Sequence, residues 1–387
     1  MEDRCRLVSI ESSAPTVMEC AMNTAAPIPD VPIFGARIRV VFAGACYSTV
    51  MTRPGAAEQA QEENIPRARA GSLEFLMQNM TISRPTPAHM GLRDGSLFPG
   101  YEVAGIVDAI GLAVEDTNGI SEGSRVVVFP TEDVPHGYAD FISIEDINTL
   151  VPVPDELSLC VACTLPSGGL LAVNAASIAN NWLKNMFEGA NPKEKATVMI
   201  VGTGGLSLWA LWVASTYFKQ GEYEKNIVLS VATLRRDEFV FCQEWDDEIK
   251  VVEWNERLYE TQLVESTTKA FDGPLDVIMN FGTTSRALLR CLQCLAPGGV
   301  VIITEEVGRR LLPEFASKAE ELNVHIEMIP KGSIEQLREL LDAVACGDIV
   351  SPPYSLFKAD EAIKTVSRLC YSDIVGRAVL EFDDHYA

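Results

Sequence analysis

The sequence predicts an α/β protein, in which a doubly wound, parallel, six-stranded sheet is joined to a smaller, irregular β domain. Two observations carry this prediction. Strand-like and helix-like segments alternate from residue 196 to residue 329, and a glycine-rich turn follows the first strand-like segment of that series. In addition, the chain of 387 residues is too long for one ordinary hydrophobic core, so we expect two domains.

The glycine-rich turn joins an apolar, β-rich run that ends at Val201 to a helix-like run that ends at Phe218. Glycines let the backbone turn tightly and approach a ligand, and a helix N-terminus offers free N–H groups and partial positive charge to a phosphate. The turn therefore predicts a cradle for a dinucleotide pyrophosphate, although Ser207 replaces the third glycine of the usual pattern. The residues that we expect to bind the cofactor there are Gly202, Gly204, Gly205 and Leu206.

The alternation that follows is typical of a doubly wound sheet. The predicted strands are 196–201, 226–233, 248–253, 275–281, 300–304 and 324–329. The predicted helices between them are 206–218, 237–245, 256–271, 285–295 and 312–322. A turn over 296–299, which reads Ala-Pro-Gly-Gly, precedes the fifth strand.

The first part of the chain has short β-like segments separated by Gly, Pro and Asp, which predict a compact, irregular β domain. These segments are 36–43, 102–109, 125–129, 139–143 and 150–152. The polar segment 53–94, which contains several prolines and glycines, interrupts them, and we interpret it as a long surface excursion, either an inert loop or a lid. Residues 1–32 are rich in Ser, Thr, Ala and Pro, and we expect them to be loosely ordered.

Composition excludes several classes of protein. Hydrophobic residues make up 47% of the chain and charged residues 22%, as in a globular protein. There is no run of about 18 apolar residues and no basic-then-apolar leader, so we expect no membrane partner and a cytoplasmic location. The formal net charge of −23 argues against nucleic acid as a partner.

The chain has ten cysteines, two pairs of which have C-x-x-C spacing: Cys160 with Cys163 and Cys291 with Cys294. Both pairs lie in apolar, helix-like surroundings, where residues three apart share a face. We therefore predict core cysteines, with redox or metal binding as the alternative.

Several short motifs, most of them containing glycine or proline, follow one another along the chain in a fixed order. They are 40–48 (VVFAGACYS), 98–107 (FPGYEVAGIV), 122–126 (EGSRV), 137–141 (GYADF), 153–155 (VPD), 165–170 (LPSGGL), 360–362 (DEA) and 376–380 (GRAVL). In this order they resemble the medium-chain dehydrogenase/reductase superfamily, over about residues 33 to 383. The motif at 165–170 resembles the zinc-free quinone-reductase branch, and a divergent alcohol-dehydrogenase-like member is the alternative.

The resemblance implies a GroES-like β domain that is split around a Rossmann domain. The catalytic β domain would span residues 33–165, including the insertion, and the Rossmann domain 166–335. Residues 336–387 would return to the catalytic domain. The resemblance also implies a homodimer paired through the sheet edge near residues 300–329.

Zinc-containing members of this superfamily hold a catalytic metal with a Cys, a His and a second Cys or an acidic residue. By resemblance these positions fall on Cys46, Tyr101 and Ser167. Tyrosine and serine are poor neutral ligands for zinc near pH 7, so we predict no catalytic metal. A weak metal site formed by Cys46 and Glu102 is the alternative.

The end of the second strand predicts which dinucleotide binds. NAD-preferring proteins place a carboxylate there to hold the ribose 2′-hydroxyl. This chain has Ala232 or Thr233 at that place, followed by Arg235 and Arg236, and a guanidinium group can bind a 2′-phosphate. We therefore predict NADP(H), with two solvated arginines at a helix start as the alternative. By resemblance, the nicotinamide would lie near Asn280, Phe281, Gly282 and Thr304.

Without zinc, a hydroxyl group must polarise a carbonyl or protonate an enolate. The candidates are Tyr47, Ser48 and Tyr101, with ordinary packing as the alternative for the two tyrosines. By resemblance, Ser48 takes the position of a proton-relay hydroxyl and Tyr101 faces the hydride acceptor. Cys46 would be an unligated thiol that lines the pocket.

These expectations together describe a zinc-independent, NADPH-dependent oxidoreductase that reduces an activated alkene, quinone or carbonyl by hydride transfer. One alternative is a non-catalytic, dehydrogenase-like protein that acts as a nucleotide-binding or protein-interaction module. The missing metal ligands, Ser207 and the segment 53–94 motivate it. A second alternative is an alcohol dehydrogenase with a rebuilt metal site.

Overall fold

The computed structural model describes most of the chain. The described residues are 4–10, 20–45, 102–115, 117, 119–131, 137–202, 204–219, 223–233, 249–254, 259–282, 284–370, 374 and 376–383. The predicted excursion over 53–94 and the predicted helix over 237–245 lie outside them.

Seven strands form the β domain. They are β3 (Ala36–Gly44), β4 (Val103–Ile110), β5 (Arg125–Val128), β6 (Phe141–Ile144), β7 (Leu150–Pro152), β14 (Tyr354–Lys358) and β15 (Arg377–Glu381). The order is β14-β15-β3-β4-β5-β7, with β6 paired to β3, and only β14 and β15 run parallel to each other among these pairs. The chain therefore leaves this sheet after β7 and returns to it with β14.

The second sheet has six parallel strands. They are β8 (Ala196–Val201), β9 (Ile227–Thr233), β10 (Lys250–Glu253), β11 (Leu275–Asn280), β12 (Leu295–Thr304) and β13 (His325–Ile329). Their order is β10-β9-β8-β11-β12-β13. The predicted doubly wound, six-stranded parallel sheet is confirmed. β13 is an edge of this sheet, and the expected pairing of two chains there stays a prediction.

Eight helices are described. They are α1 (Leu159–Ala162), α2 (Leu170–Glu188), α3 (Gly205–Lys219), α4 (Glu260–Ala270), α5 (Ser285–Cys294), α6 (Glu305–Leu322), α7 (Ile334–Ala345) and α8 (Ala362–Cys370). A π-helical turn, Leu165–Gly169, joins α1 to α2. Among the described helices, none has the length and apolarity needed to cross a membrane.

Two predicted boundaries differ from the structure. The predicted helix 312–322 begins at Glu305, because the Thr304 hydroxyl accepts a hydrogen bond from the Val307 N–H and two glutamates occupy the first turn. The predicted turn 296–299 lies inside β12. There the ladder passes from the pair Leu275–Leu295 to the pair Val277–Val300, so the intervening residues of β12 bulge outward.

The N-terminal segment is more ordered than the sequence suggested. Two strands, β1 (Arg4–Ile10) and β2 (Cys20–Pro27), pair antiparallel. The expectation that residues 1–32 are loosely ordered is therefore wrong for both strands.

Backbone hydrogen bonds to Tyr138 and Asp140 and the side chain of Arg6 hold this hairpin against the β domain. The backbone N–H and the Nε of Arg6 donate to the Asp140 carboxylate at 2.6 and 3.0 Å, and its Nη2 donates to the Phe382 carbonyl. Charge-assisted hydrogen bonds are stronger than neutral ones, so Arg6 stabilises the packing of the β1–β2 hairpin on the β domain.

The parallel sheet is covered on both faces. Val198 and Ile200 of β8 pack into a core shared with α2, α3 and the β domain. Met199 and Val201 pack into a separate core on the opposite face. Burial on both faces explains why the central strands β8 and β11 read as continuous apolar runs rather than as alternating patterns.

The two C-x-x-C pairs are buried in these cores, which confirms the prediction of core cysteines. Burial raises the pKa of Cys160 and of Cys294 to about 12. Both thiols are therefore protonated and unreactive near neutral pH.

A charged cluster joins α4 to α5. Arg290, which is 3% exposed, donates from Nε and Nη2 to the two oxygens of Glu260 at 2.5 and 3.2 Å, and Arg286 pairs with the same carboxylate. Hydrogen bonds from Arg290, followed by those from Arg286, hold the pKa of Glu260 below its ordinary value of 4.5. The carboxylate therefore stabilises the fold above about pH 4.5, and this contribution is lost as pH falls through the lowered pKa.

We predict that Glu260→Gln lowers the free energy of unfolding at pH 7 by about 1–3 kcal/mol, because Arg290 loses its ionic partner. The deficit should shrink as the pH falls below about 4.5, through the lowered pKa of the wild-type carboxylate. Urea unfolding at pH 7 and at pH 3 measures both values. Glu265→Gln, at an exposed position of the same helix, is the matched control. A deficit of equal size at both pH values would contradict the prediction.

Candidate functional site

Several predicted cofactor-binding residues meet at the carboxyl edge of the parallel sheet. In the ladders, Val201 lies beside Ala232 and Asn280, and Asn280 lies beside Ile303. The residues that follow or end these strands are therefore neighbours. The predicted residues brought together in this way are Gly202, Thr233, Phe281, Gly282 and Thr304. Ligands of open α/β sheets bind at this edge.

The glycine turn has the backbone conformation that the sequence predicts. Gly202 has a φ of 108°, which side-chain-bearing residues rarely adopt, and its N–H donates to the Ala232 carbonyl at 3.0 Å. The helix begins at once, because the Leu208 N–H donates to the Gly204 carbonyl at 3.0 Å. The turn therefore presents the N-terminus of α3 to the sheet edge.

Ser207 fits at the third glycine position. Its side chain is buried, and its hydroxyl donates to the Val201 carbonyl at 3.5 Å. A Cβ atom at Gly202 would lie 2.6 Å from that hydroxyl. The missing side chain at Gly202 thus makes room for the serine, and the turn keeps its shape.

Within the described residues, neither the backbone conformation nor packing requires glycine at position 204. A Cβ atom there would meet no atom within 4 Å, and its φ is outside the left-handed region. Among the glycines whose surroundings the structure describes, Gly204 alone combines these two properties. Glycine at such a position leaves room for a ligand to approach the backbone closely.

Gly205 and Gly282, in contrast, are required by packing. A Cβ atom at Gly205 would overlap the side chain of Arg377, and one at Gly282 would lie 2.9 Å from Cβ of Ala287. Gly282 also closes a turn, since its N–H donates to Oδ1 of Asn280 at 2.9 Å. These two glycines let α3 and α5 begin close to the sheet edge.

A buried ion pair lies against the glycine turn. Arg377 of β15 pairs with Glu102, which precedes β4, and the two residues are 7% and 0% exposed. The other carboxylate oxygen of Glu102 accepts the Gly168 N–H at 3.0 Å. A Cβ atom at Gly44 would overlap the Glu102 side chain. β15 also reaches the turn through its backbone, where Gly376 forms a bridge with Gly204.

Arg377 is a site residue that none of the sequence motifs predicted. The signal was present, because Arg377 is a lone charge in an apolar segment, as is Glu102. Two isolated charges in buried strands indicate a pair, although neither residue identifies its partner. The structure places the guanidinium group beside the first residue of α3.

The three predicted metal positions are only partly described. Ser167 lies in the π-helical turn and is half-buried, whereas Cys46 and Tyr101 lie outside the described residues. Glu102, the alternative ligand, is engaged by Arg377 and by Gly168. Within the described part of the chain, no three His, Cys, Asp or Glu residues are placed so that they could hold a metal ion.

The remaining predicted site residues are not placed. Tyr47, Ser48, Arg235 and Arg236 also lie outside the described residues, and their roles stay predictions. Leu206 lies in the first turn of α3, as expected, and is half-buried. Thr233 is the last residue of β9 and is fully buried. Since this residue is a threonine, the end of the strand carries no carboxylate.

The described residues fit a dinucleotide pyrophosphate. Gly204 leaves open space, among the described residues, in front of the N-terminus of α3, and the guanidinium group of Arg377, paired with Glu102, lies next to it. A bound nicotinamide dinucleotide would supply the hydride.

Comparisons with known proteins show a fold and no close relative. No protein-family model matches the sequence, and no curated protein matches it. An alcohol dehydrogenase from Aeropyrum pernix is 18% identical, with a TM-score of 0.65 and coverage of 98% of this chain and 99% of that one. A quinone oxidoreductase from Coxiella burnetii is 18% identical, with a TM-score of 0.63 and the same coverage.

A third solved structure is an acetophenone reductase from Geotrichum candidum in complex with NAD. It is 15% identical, with a TM-score of 0.61, and the match covers 98% of this chain and 97% of that one. All three matches extend over both sheets and over the C-terminal return of the chain to the β domain. The expected architecture, a GroES-like β domain split around a Rossmann sheet, is confirmed. The chain has the fold of the medium-chain dehydrogenase/reductase superfamily.

Proposed function

We propose that this chain is a zinc-independent, NADP(H)-dependent oxidoreductase that reduces an activated alkene, quinone or carbonyl by hydride transfer. The observation that carries the proposal is Gly204, a glycine that neither backbone conformation nor packing requires, at the N-terminus of α3. The solved structures of similar fold include a quinone oxidoreductase, an alcohol dehydrogenase and an acetophenone reductase, which supports this class of activity.

The chain binds and orients the dinucleotide with groups on both sides of the sheet edge. The N–H groups of the first turn of α3 bind the pyrophosphate, and the Arg377 guanidinium, held by Glu102, stabilises its charge. Phe281 follows β11 and Thr304 ends the neighbouring β12, so the nicotinamide would lie beside both residues. The Thr304 hydroxyl already caps α6, so we assign it a positioning role.

The occupied carboxylate of Glu102 supports zinc independence. A metal ligand needs a free lone pair, whereas Glu102 pairs with Arg377 through one oxygen and accepts the Gly168 N–H through the other. Withdrawing Glu102 to bind a metal would leave Arg377 buried without its partner, which is costly. Polarisation of the substrate must therefore come from hydrogen-bond donors.

The proposed donors are the hydroxyls of Tyr101, Tyr47 and Ser48, with Cys46 as a thiol of the same pocket. Gly44 lies just before the candidates at 46–48 in the sequence, and Glu102 follows Tyr101. The Gly44 N–H donates to the Glu102 carbonyl at 2.8 Å, and this contact supports a common site. Tyr138, which is buried, fixes this junction by donating to the Gly44 carbonyl at 3.3 Å.

We predict that Gly204→Ala lowers NADPH affinity by about tenfold or more, because the new methyl group enters the space of the pyrophosphate. The melting temperature without cofactor should not change, since that methyl group meets no atom of the described residues. Titration calorimetry and thermal unfolding with and without NADPH measure the two effects.

Gly347→Ala is the matched control for this experiment. Gly347 has open space around it but a φ of 83°, so alanine there should lower the melting temperature and leave NADPH affinity unchanged. Wild-type affinity in the Gly204→Ala protein would contradict the proposed cradle.

We predict that Arg235→Ala combined with Arg236→Ala reduces the preference for NADPH over NADH by about tenfold or more, through loss of the 2′-phosphate contact. Dissociation constants for both dinucleotides measure the preference. Arg338→Ala, at an exposed position on α7, is the control and should change neither constant. An equal loss of affinity for both dinucleotides would count against NADP(H) specificity.

We predict that removing metal with a strong chelator leaves NADPH oxidation unchanged in the presence of a panel of quinones, enones and aldehydes. The physical reason is that the described candidate ligand Glu102 is already paired with Arg377. Elemental analysis of the purified protein accompanies the assay. One tightly held zinc per chain, with activity lost on its removal, would overturn zinc independence. Binding of NADPH without turnover of any acceptor would favour the non-catalytic alternative.

A further inference from the structure

A cavity of about 550 Å³ lies at the opposite edge of the parallel sheet from the glycine turn. Its lining comes from the last turns of α2 and α3, from Ile227 at the start of β9 and from the residues that follow α7. The volume lies in the range of small-molecule sites. Since α3 has 15 residues, its two ends are roughly 20 Å apart, so this cavity is separate from the dinucleotide cradle.

The floor of the cavity is apolar and fixed. Leu183, Phe218 and Ile349 line it and are buried parts of the main core. The ring of Tyr223 forms one wall. That ring stacks on Phe187 at a centroid distance of 4.6 Å, so its position is set without a ligand.

The same tyrosine connects the wall to a carboxylate at the rim. The Tyr223 hydroxyl donates to Glu188 at 3.0 Å. Tyr217, 39% exposed, supplies a second aromatic ring to the lining. The cavity therefore offers aromatic faces, which attract cations, next to fixed negative charge.

The electrostatic balance of the rim favours a positive ligand. Among the described side chains that line the cavity, Glu188 and Asp348 are acidic and Lys184 is the single cation. α2, α3 and α7 all end at this cavity, and each C-terminus contributes partial negative charge through its last carbonyl groups. A phosphate or carboxylate would meet repulsion here.

We propose that this cavity is a second ligand site, which takes a small organic cation with an ammonium group attached to an apolar or aromatic body. The ammonium group lies between Glu188, Asp348 and the helix C-termini. The apolar body packs on Leu183, Phe218 and the Tyr223 ring. This site does not rest on the proposed oxidoreductase function.

Titration calorimetry of the full chain with phenylpropylammonium and with phenylpropionate tests the proposal, because the two probes share an aromatic body and carry opposite charges. We expect one saturable site per chain for the cation and at least about tenfold weaker binding of the anion. Absence of saturable binding of the cation, or a preference for the anion, would overturn the proposal.

Two charge variants of the lining and one control variant test whether the cation binds in this cavity. Glu188→Gln combined with Asp348→Asn should weaken binding of the cation by about fivefold or more, and Lys184→Gln should strengthen it by a similar factor. Glutamine at position 188 keeps an acceptor for the Tyr223 hydroxyl, so the wall stays in place. Glu335→Gln, at the far end of α7, is the control. Binding that none of the variants at 184, 188 and 348 alters lies elsewhere and would refute the assignment.

Discussion

The buried pair between Glu102 and Arg377 constrains more of this structure than any other contact described above. Charges without water must be compensated, and removal of one partner from such a pair is strongly destabilising. The pair joins the beginning of β4 to the beginning of β15, and it lies against the first residue of α3. Glycine at 44 and at 205 follows from it, since a side chain at either position would overlap one member of the pair. The two sheets are thus connected at the place where the candidate cofactor site is built.

The pair also bears on the chemistry proposed for this site. Its acidic member, Glu102, belongs to the alternative metal site expected from the sequence, but both of its oxygens are already engaged. Its basic member adds positive charge beside a helix N-terminus that already favours anions. In the proposed function, this contact keeps Glu102 from binding a metal and places a guanidinium group beside the pyrophosphate. This electrostatic arrangement is consistent with reduction by a nicotinamide cofactor and a hydrogen-bond donor from the protein.

The sequence predicted the parallel sheet well, because strands buried on both faces, such as β8, read as apolar runs that end at a glycine. Contacts between distant residues were missed. Arg6 bonds to Asp140, 134 positions away, and this contact orders an N-terminal segment that looked unstructured from its composition. Arg377 was missed for the same reason, since its importance depends on Glu102. The start of α6 was missed because threonine 304 serves both as a strand end and as a helix cap.

The position of β15 in the chain has a consequence for biosynthesis. Gly376 and Arg377 lie beyond every other described residue that borders the glycine turn, yet β15 is inserted between β14 and β3 in the finished sheet. While the polypeptide emerges from the ribosome, Glu102 is made long before its guanidinium partner exists. The parallel sheet can form early, because its strands are contiguous in the sequence. The glycine turn, in contrast, lacks one of its neighbours until β15 has been synthesised and has paired. Maturation of the site is therefore a late event, coupled to the closing of the β domain.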